Sequence, residues 1–194
     1  MAKRIFIWVG HPRADSLSHG LADAYQRGAK SRGAEIRRMH VGEMTFDLDE
    51  FGGYKVKRDL EPDLKAWQEA ITWSQRMVWV YPYWWGAMPA KMKAVVDRAL
   101  LPGFGFLYRK DSVMWDKLLG GHVGDGIITS DTPPWYDTLL YSKPGRRVLK
   151  NQIYKFTGIK PGKIVQIGTI KTANEDKIKA WLEMAHQMGV DAAS

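Results

Sequence analysis

Two unbroken apolar runs constrain this chain more than any other feature: residues 5–9 read Ile-Phe-Ile-Trp-Val, and residues 77–81 read Met-Val-Trp-Val-Tyr. Successive side chains of a strand point to opposite faces, so a run without polar alternation predicts a strand covered on both sides. Residues 126–130 (Gly-Ile-Ile-Thr-Ser) and 163–167 (Lys-Ile-Val-Gln-Ile) read as two more strands. Residues 35–41 are more polar, with Ile36, Met39 and Val41 as their apolar members, and fit an edge strand. A sheet buried on both faces is parallel and needs helices between its strands.

Helical stripes lie where such crossovers belong. Leu17, Leu21, Ala24 and Tyr25 follow a serine-rich turn at Ser16 and Ser18. Leu60, Leu64, Trp67 and Ile71 keep helical spacing, with Pro62 in the first turn. Met88, Met92, Val95 and Ala99 repeat the stripe, and Pro89 occupies the place of a first helical residue. A weaker pattern over 136–156 is interrupted by Pro144-Gly145. Ile178, Trp181, Leu182 and Ala185 form a last helix, opened by Asn174 with Glu175 and Asp176 and closed by Gly189. The alternation predicts one α/β domain over residues 1–194. It is a doubly wound three-layer sandwich on a five-stranded parallel sheet of order 2-1-3-4-5. Residues 45–59 and 102–121 are left as long loops.

Composition narrows the function classes. The chain has no cysteine, which excludes disulfides, thiol catalysis and cysteine-ligated metal; no metal site is expected. With 194 residues, 45% of them apolar or aromatic, it can bury a core without staples. Neither a signal peptide nor an apolar stretch of the ~18 residues that span a membrane is seen, so a soluble cytoplasmic protein without membrane insertion is expected. The net charge is +8. The cations are scattered, their densest group at 143–147 is short, and no nucleic-acid-binding motif accompanies them, so no nucleic-acid partner is expected.

In a doubly wound sheet, ligands bind beyond the carboxyl ends of the strands, where the strand order reverses. That singles out the loops after Val9, Tyr81 and Ser130. The first, Gly10-His11-Pro12-Arg13-Ala14-Asp15-Ser16-Leu17-Ser18-His19, brings hydroxyls and free N–H groups to a helix start, a good phosphate site. Taken alone, Ser16 reads first as an N-cap. In the second loop Tyr83, Trp84 and Trp85 stand between Pro82 and Pro89, and a strand cannot bury three bulky neighbours on one face. Some of them project toward a flat ligand or toward a partner chain. The third loop, Thr129-Ser130-Asp131-Thr132-Pro133-Pro134-Trp135-Tyr136, offers donors to the polar edge of a ring, and alone it is a turn and helix cap.

These motifs resemble the NAD(P)H:quinone oxidoreductase family of flavodoxin-like proteins, which includes the DT-diaphorases and the ancillary reductases of potassium-efflux systems. The resemblance rests on Ile5-x-x-x-Val9-Gly10-His11-Pro12 with Ser16 and Ser18, on Tyr81-Pro82-x-x-Trp85-x-x-x-Pro89-x-x-x-Lys93-x-x-x-Asp97-Arg98-x-Leu100, and on 102–106 and 129–136. It implies a homodimer holding flavin (FMN in preference to FAD), with NAD(P)H as co-substrate and a quinone-like acceptor. The two substrates would use one place in turn. By the resemblance His11, Ser16, Leu17 and Ser18 hold the flavin phosphate. Pro82, Tyr83, Trp84, Trp85 and Gly86 run along the ring, and Thr129, Ser130 and Asp131 meet its polar edge. Phe106, Trp135 and Tyr136 wall the substrate slot.

Two departures stand out. Asp131-Thr132 replaces a Gly-Gly pair of the DT-diaphorases, so Asp131 caps or points away. Residues 143–147 carry cations where those proteins have a histidine, so no acid–base catalyst is assigned. The cations suit reduced flavin, the 2′-phosphate of NADPH or a solvated turn. The competing readings are a flavin-binding ancillary subunit of a membrane transporter and an electron-carrier flavodoxin.

Overall fold

The computed structural model describes residues 2–48 and 58–194. Most of the loop expected at 45–59, including Gly52-Gly53, therefore lies outside the described residues. The elements run β1 (Arg4–Val9), α1 (Leu17–Ser31), β2 (Glu35–His40), α2 (Pro62–Trp73), β3 (Arg76–Pro82) and α3 (Ala90–Ala99). After a small hairpin, β4 (Phe106–Tyr108) and β5 (Trp115–Lys117), come β6 (Val123–Thr129), α4 (Pro134–Leu139) and α5 (Pro144–Arg147). A π-helical stretch, Val148–Tyr154, runs into α6 (Lys155–Thr157), followed by β7 (Lys160–Ile167) and α7 (Glu175–Ala193). The main sheet has the order β2-β1-β3-β6-β7, and every pairing in it is parallel. That is the expected 2-1-3-4-5. No helix among the described residues is long and apolar enough to cross a membrane.

The apolar runs split between the two faces as strand geometry requires. Phe6, Trp8, Met77, Trp79 and Tyr81 face α2 and α3, where Trp8 and Trp79 meet edge to face at 4.8 Å and Trp8 and Trp67 at 5.0 Å. Ile5, Ile7, Val9, Val78 and Val80 face α1 and α7. Fully burying each such aliphatic side chain stabilises the fold by about 1.5–3 kcal/mol.

Four expectations need correction. Gly189 does not close the last helix, which continues to Ala193. A Cβ there would lie 2.0 Å from the Tyr25 carbonyl oxygen, and one on Gly28 would lie 2.0 Å from that of His186. The glycines let α1 and α7 touch through their main chains. Pro89 is the N-cap of α3 rather than its first residue, and Met88 is buried just before the helix. Pro144 opens α5 instead of interrupting a helix, so residues 136–156 form a broken series of short helical pieces. Residues 102–121, expected as loop, contain the β4–β5 hairpin.

One carboxylate ties the amino end of the sheet together. Asp125 of β6 is fully buried and accepts from Arg76 Nε at 2.8 Å and Arg76 Nη2 at 2.9 Å. It also accepts from the Tyr25 hydroxyl at 2.8 Å and the Lys163 N–H at 2.8 Å. Strands β3, β6 and β7 and helix α1 thus meet on one charge. Burial pushes the Tyr25 phenol well above its ordinary range, so it stays a donor.

Candidate functional site

At the carboxyl end of the sheet, the loops after β1, β3 and β6 enclose one cleft of about 280 Å³. His11, Arg13, Ser16, Leu17 and Ser18 line it from the first loop, Pro82, Tyr83 and Trp84 from the second, and Thr129, Ser130 and Asp131 from the third. Ile170, beyond β7, completes the wall.

The first loop turns into α1 at Ser16, whose backbone is extended and whose Oγ accepts from the His19 N–H at 3.4 Å. Ser16 is therefore an N-cap as well as a lining residue. Leu17 and Ser18 occupy the first two helical positions, where the backbone N–H groups have no carbonyl inside the helix to bond. The Ser18 hydroxyl is 1% exposed and has no hydrogen-bond partner among the described residues. A buried unmet hydroxyl costs about 1–3 kcal/mol, which a ligand oxygen would recover. A phosphate group would fit this end of the cleft. It would meet the hydroxyl, the two N–H groups and the positive end of the helix dipole. His11 stands beside it. Its Nδ1 accepts from the Arg13 N–H at 3.0 Å, and its ring meets Trp84 edge to face at 5.5 Å. Burial, then Arg13, holds the His11 pKa below the usual value. The imidazole is thus neutral at pH 7, with its proton on Nε2.

The second loop continues β3 by one bond, Tyr83 N–H to the Thr129 carbonyl at 2.7 Å. Trp84 and Ala87 then exchange two backbone bonds, of 2.9 and 3.0 Å. The two residues between them, Trp85 at φ 50° and Gly86 at φ 79°, form a tight turn with both centres left-handed, the pattern of a type I′ turn. Glycine suits that position, whereas a bulky residue there is strained. Trp85 stands fully in solvent, and neither it nor Gly86 lines the cleft. Burial, then the Asp137 carboxylate, raises the Tyr83 pKa, so its phenol remains protonated.

The third loop is held by its own side chains. Ser130 Oγ donates to the Thr132 carbonyl at 3.0 Å and accepts from Gln166 Nε2 at 3.3 Å. Asp131 Oδ1 accepts from the Lys171 N–H at 2.8 Å, so this acid caps the neighbouring loop. Of the three residues expected around the substrate, none lines the cleft of this chain. Phe106 is buried in the hairpin against Tyr108 and Phe156. Trp135 is exposed on α4 beside the half-buried Tyr136.

Sequence reasoning missed Ile170, because the strand-order rule directs attention away from the loop after β7. It also missed the partners of the basic stretch. Arg146 binds the fully buried Asp137 at 2.9 Å, while Lys143, Arg147 and Lys150 line a second, basic cleft of about 380 Å³.

Residues 3–188 match the model of a protein family described as having the flavodoxin-like fold. The uncharacterized NAD(P)H oxidoreductase YcaK of Escherichia coli (strain K12) is 27% identical over 129 residues, which is 62% of this chain and 66% of that protein. The chain spans only 53% and 48% of two other curated relatives. The NAD(P)H:quinone oxidoreductase from Methanothermobacter marburgensis has a TM-score of 0.83 at 17% identity, covering 98% of this chain and 99% of that one. An FMN-dependent NADH-azoreductase from Bacillus anthracis, solved with FMN, has a TM-score of 0.74 at 15% identity, covering 99% and 100%. At these identities the structural likeness is one of fold.

Proposed function

The chain belongs to the family with the flavodoxin-like fold, and on that footing we propose that it is an NAD(P)H-dependent flavoprotein oxidoreductase that reduces quinone-like acceptors. The observation that carries the reading is the buried, unpartnered hydroxyl of Ser18, a residue at a helix start that lines a cleft walled by Tyr83 and Trp84. Bound there, the flavin would supply the hydride-transfer chemistry, which the protein itself lacks.

The chain's own residues bind, orient and exclude water. Ser18 Oγ and the N–H groups of Leu17 and Ser18 hold the phosphate. His11 keeps its proton on Nε2 and offers a neutral donor there. Tyr83 and Trp84 shield the ring from solvent. The hydroxyl of Ser130 and the carboxylate of Asp131 are already engaged, so they fix the loop's shape and leave its backbone groups to meet the polar edge. FMN is the form we propose, supported by a helix start that provides one phosphate end and by a B. anthracis protein that holds FMN on this fold. The exposed Trp85, Trp135, Leu139, Leu140 and Tyr141 supply the apolar surface that a homodimer would cover.

The test is to identify by mass the flavin released from the purified protein, then to follow NAD(P)H oxidation against a panel of quinones. Bound FMN and parallel initial-rate lines are the expected result. A colourless protein that quenches neither FMN nor FAD fluorescence on titration would overturn the reading.

A further inference from the structure

Three side chains beside the phosphate end form a hydrogen-bonded chain that the proposed reaction does not use. Ser16 and His19 share the first turn of α1, and His40 is the last residue of β2, in register with Val9 at the end of β1. The parallel pairing of β1 and β2 therefore delivers His40 to the start of the first loop. Ser16 Oγ lies 3.0 Å from His19 Nδ1, and His19 Nε2 lies 2.7 Å from His40 Nδ1. The two rings are 9° from parallel, with centroids 4.5 Å apart. Face-to-face stacking would hold their atoms at about 3.5 Å or more, so the rings meet edge to edge and share a proton. Ser16 and His19 are buried, and Ser16 also lines the cleft.

The direction of this chain decides what Ser16 offers a ligand. With both rings neutral, one arrangement has Ser16 donating to His19 Nδ1 and His19 Nε2–H donating to His40. The serine proton is then turned inward. When the pair takes up a proton, His40 donates to His19 Nε2 and His19 Nδ1–H donates to Ser16 Oγ. That oxygen then accepts from both the ring and the backbone N–H of His19, and the serine proton is released toward the cleft. The same event places a positive charge on the His40 ring, which is hydrogen-bonded to His19 in the first turn of α1. Both changes favour an anion.

We propose that Ser16, His19 and His40 form a proton-linked latch, in which binding of a phosphate-bearing flavin draws one proton into the histidine pair. His19 and His40 are positioning residues that act through Ser16, and the inference rests on the flavin reading given above. Linkage makes the effect reciprocal, so acid tightens the phosphate and the phosphate raises the affinity for the proton.

The surroundings leave the pair ready to titrate. His19 is held below its usual pKa by burial, then by His40, Arg38 and His11, against Asp23. His40 is held down by burial, then by Arg38, against Glu43 and Asp23. Arg38 is itself paired with Asp23, and Arg13 with Asp15. Lys91 of α3 reaches the Gly42 carbonyl just beyond β2. Without an anion the pair is therefore neutral above pH 7. The phosphate monoester takes its own second proton near pH 6, which opposes the effect, so the window to watch is pH 6.5–8.

The experiment measures FMN and riboflavin dissociation constants by fluorescence quenching at pH 8.0 and pH 6.5, since riboflavin lacks the phosphate. FMN should tighten about tenfold on going to pH 6.5, riboflavin by less than about twofold, and His40→Asn should flatten the FMN response. Equal pH slopes for FMN and riboflavin, or an unchanged FMN slope in His40→Asn, would overturn the latch. Should His40→Asn fail to fold, His19→Gln replaces it. A second readout follows the two imidazole titrations by NMR with inorganic phosphate. If neither flavin binds at any pH, the flavin reading fails, and this measurement decides the latch by itself: an upward shift on adding phosphate supports it and no shift sinks it.

Discussion

The two ends of the sheet treat their polar groups in opposite ways. At the amino end Asp125 of β6 is buried with four donor bonds from two other strands and a helix, and both of its oxygens are met. At the carboxyl end Ser18 is just as buried, yet its hydroxyl has no partner among the described residues, and Trp85 is held at a positive φ while standing in solvent. A saturated buried charge locks the elements that surround it, because removing any donor leaves the desolvation cost behind. Unmet donors and a strained turn lower stability and persist where a ligand or partner meets them. One end of the same sheet is built for folding, and the other is the end proposed to bind.

Breaking the amino end should give the largest effect. Arg76→Leu leaves the Asp125 carboxylate buried without its charge partner and should lower stability by about 3–5 kcal/mol, read from urea unfolding. FMN affinity per folded molecule should not change. An unaltered unfolding midpoint would show that the network is not the lock described above. Next comes the carboxyl end. Ser18→Ala should weaken FMN by about 1–3 kcal/mol, leave riboflavin binding intact and cost the flavin-free fold nothing. Equal losses for both flavins would move the phosphate elsewhere. The smallest effect is at the turn. Trp85→Asn, a residue that tolerates the left-handed region, should stabilise the flavin-free chain by roughly 1 kcal/mol in thermal melts. It should also weaken self-association in sedimentation, and a destabilised variant would mean that the indole packs where it now stands exposed.

The strands and their order were legible because burial on both faces leaves unbroken apolar runs, and alternating helical stripes leave few topologies. The β4–β5 hairpin was not, since three-residue strands show no periodicity. Gly189 was misread because a glycine that ends a helix and one that admits a neighbouring backbone look alike in sequence. The three site loops could be located from strand order, but what their side chains do depends on contacts across elements. Ser16 reads as cap or phosphate ligand until His19 is placed beside it. Asp131 is expected to cap or to point away, and only the Lys171 N–H that it accepts from shows that it caps. Asp125 with Arg76 and His19 with His40 are pairs made by sheet register, which no local spacing announces.

The glycine contact between α1 and α7 bears on how the protein reaches its native state. Gly28 and Gly189 stand about 160 residues apart, and each touches the main chain of the other helix. Contacts of that separation close large loops, and they hold refolding to the slow end of the range for a domain of this size. Helix α1 starts at the proposed phosphate end, yet it loses its main-chain contact with α7 whenever that helix is undocked. The capacity to bind FMN should therefore return only with the slowest refolding phase, after most helical signal has recovered. A flavin present during refolding would trap the docked form, acting as a template for the final step of assembly.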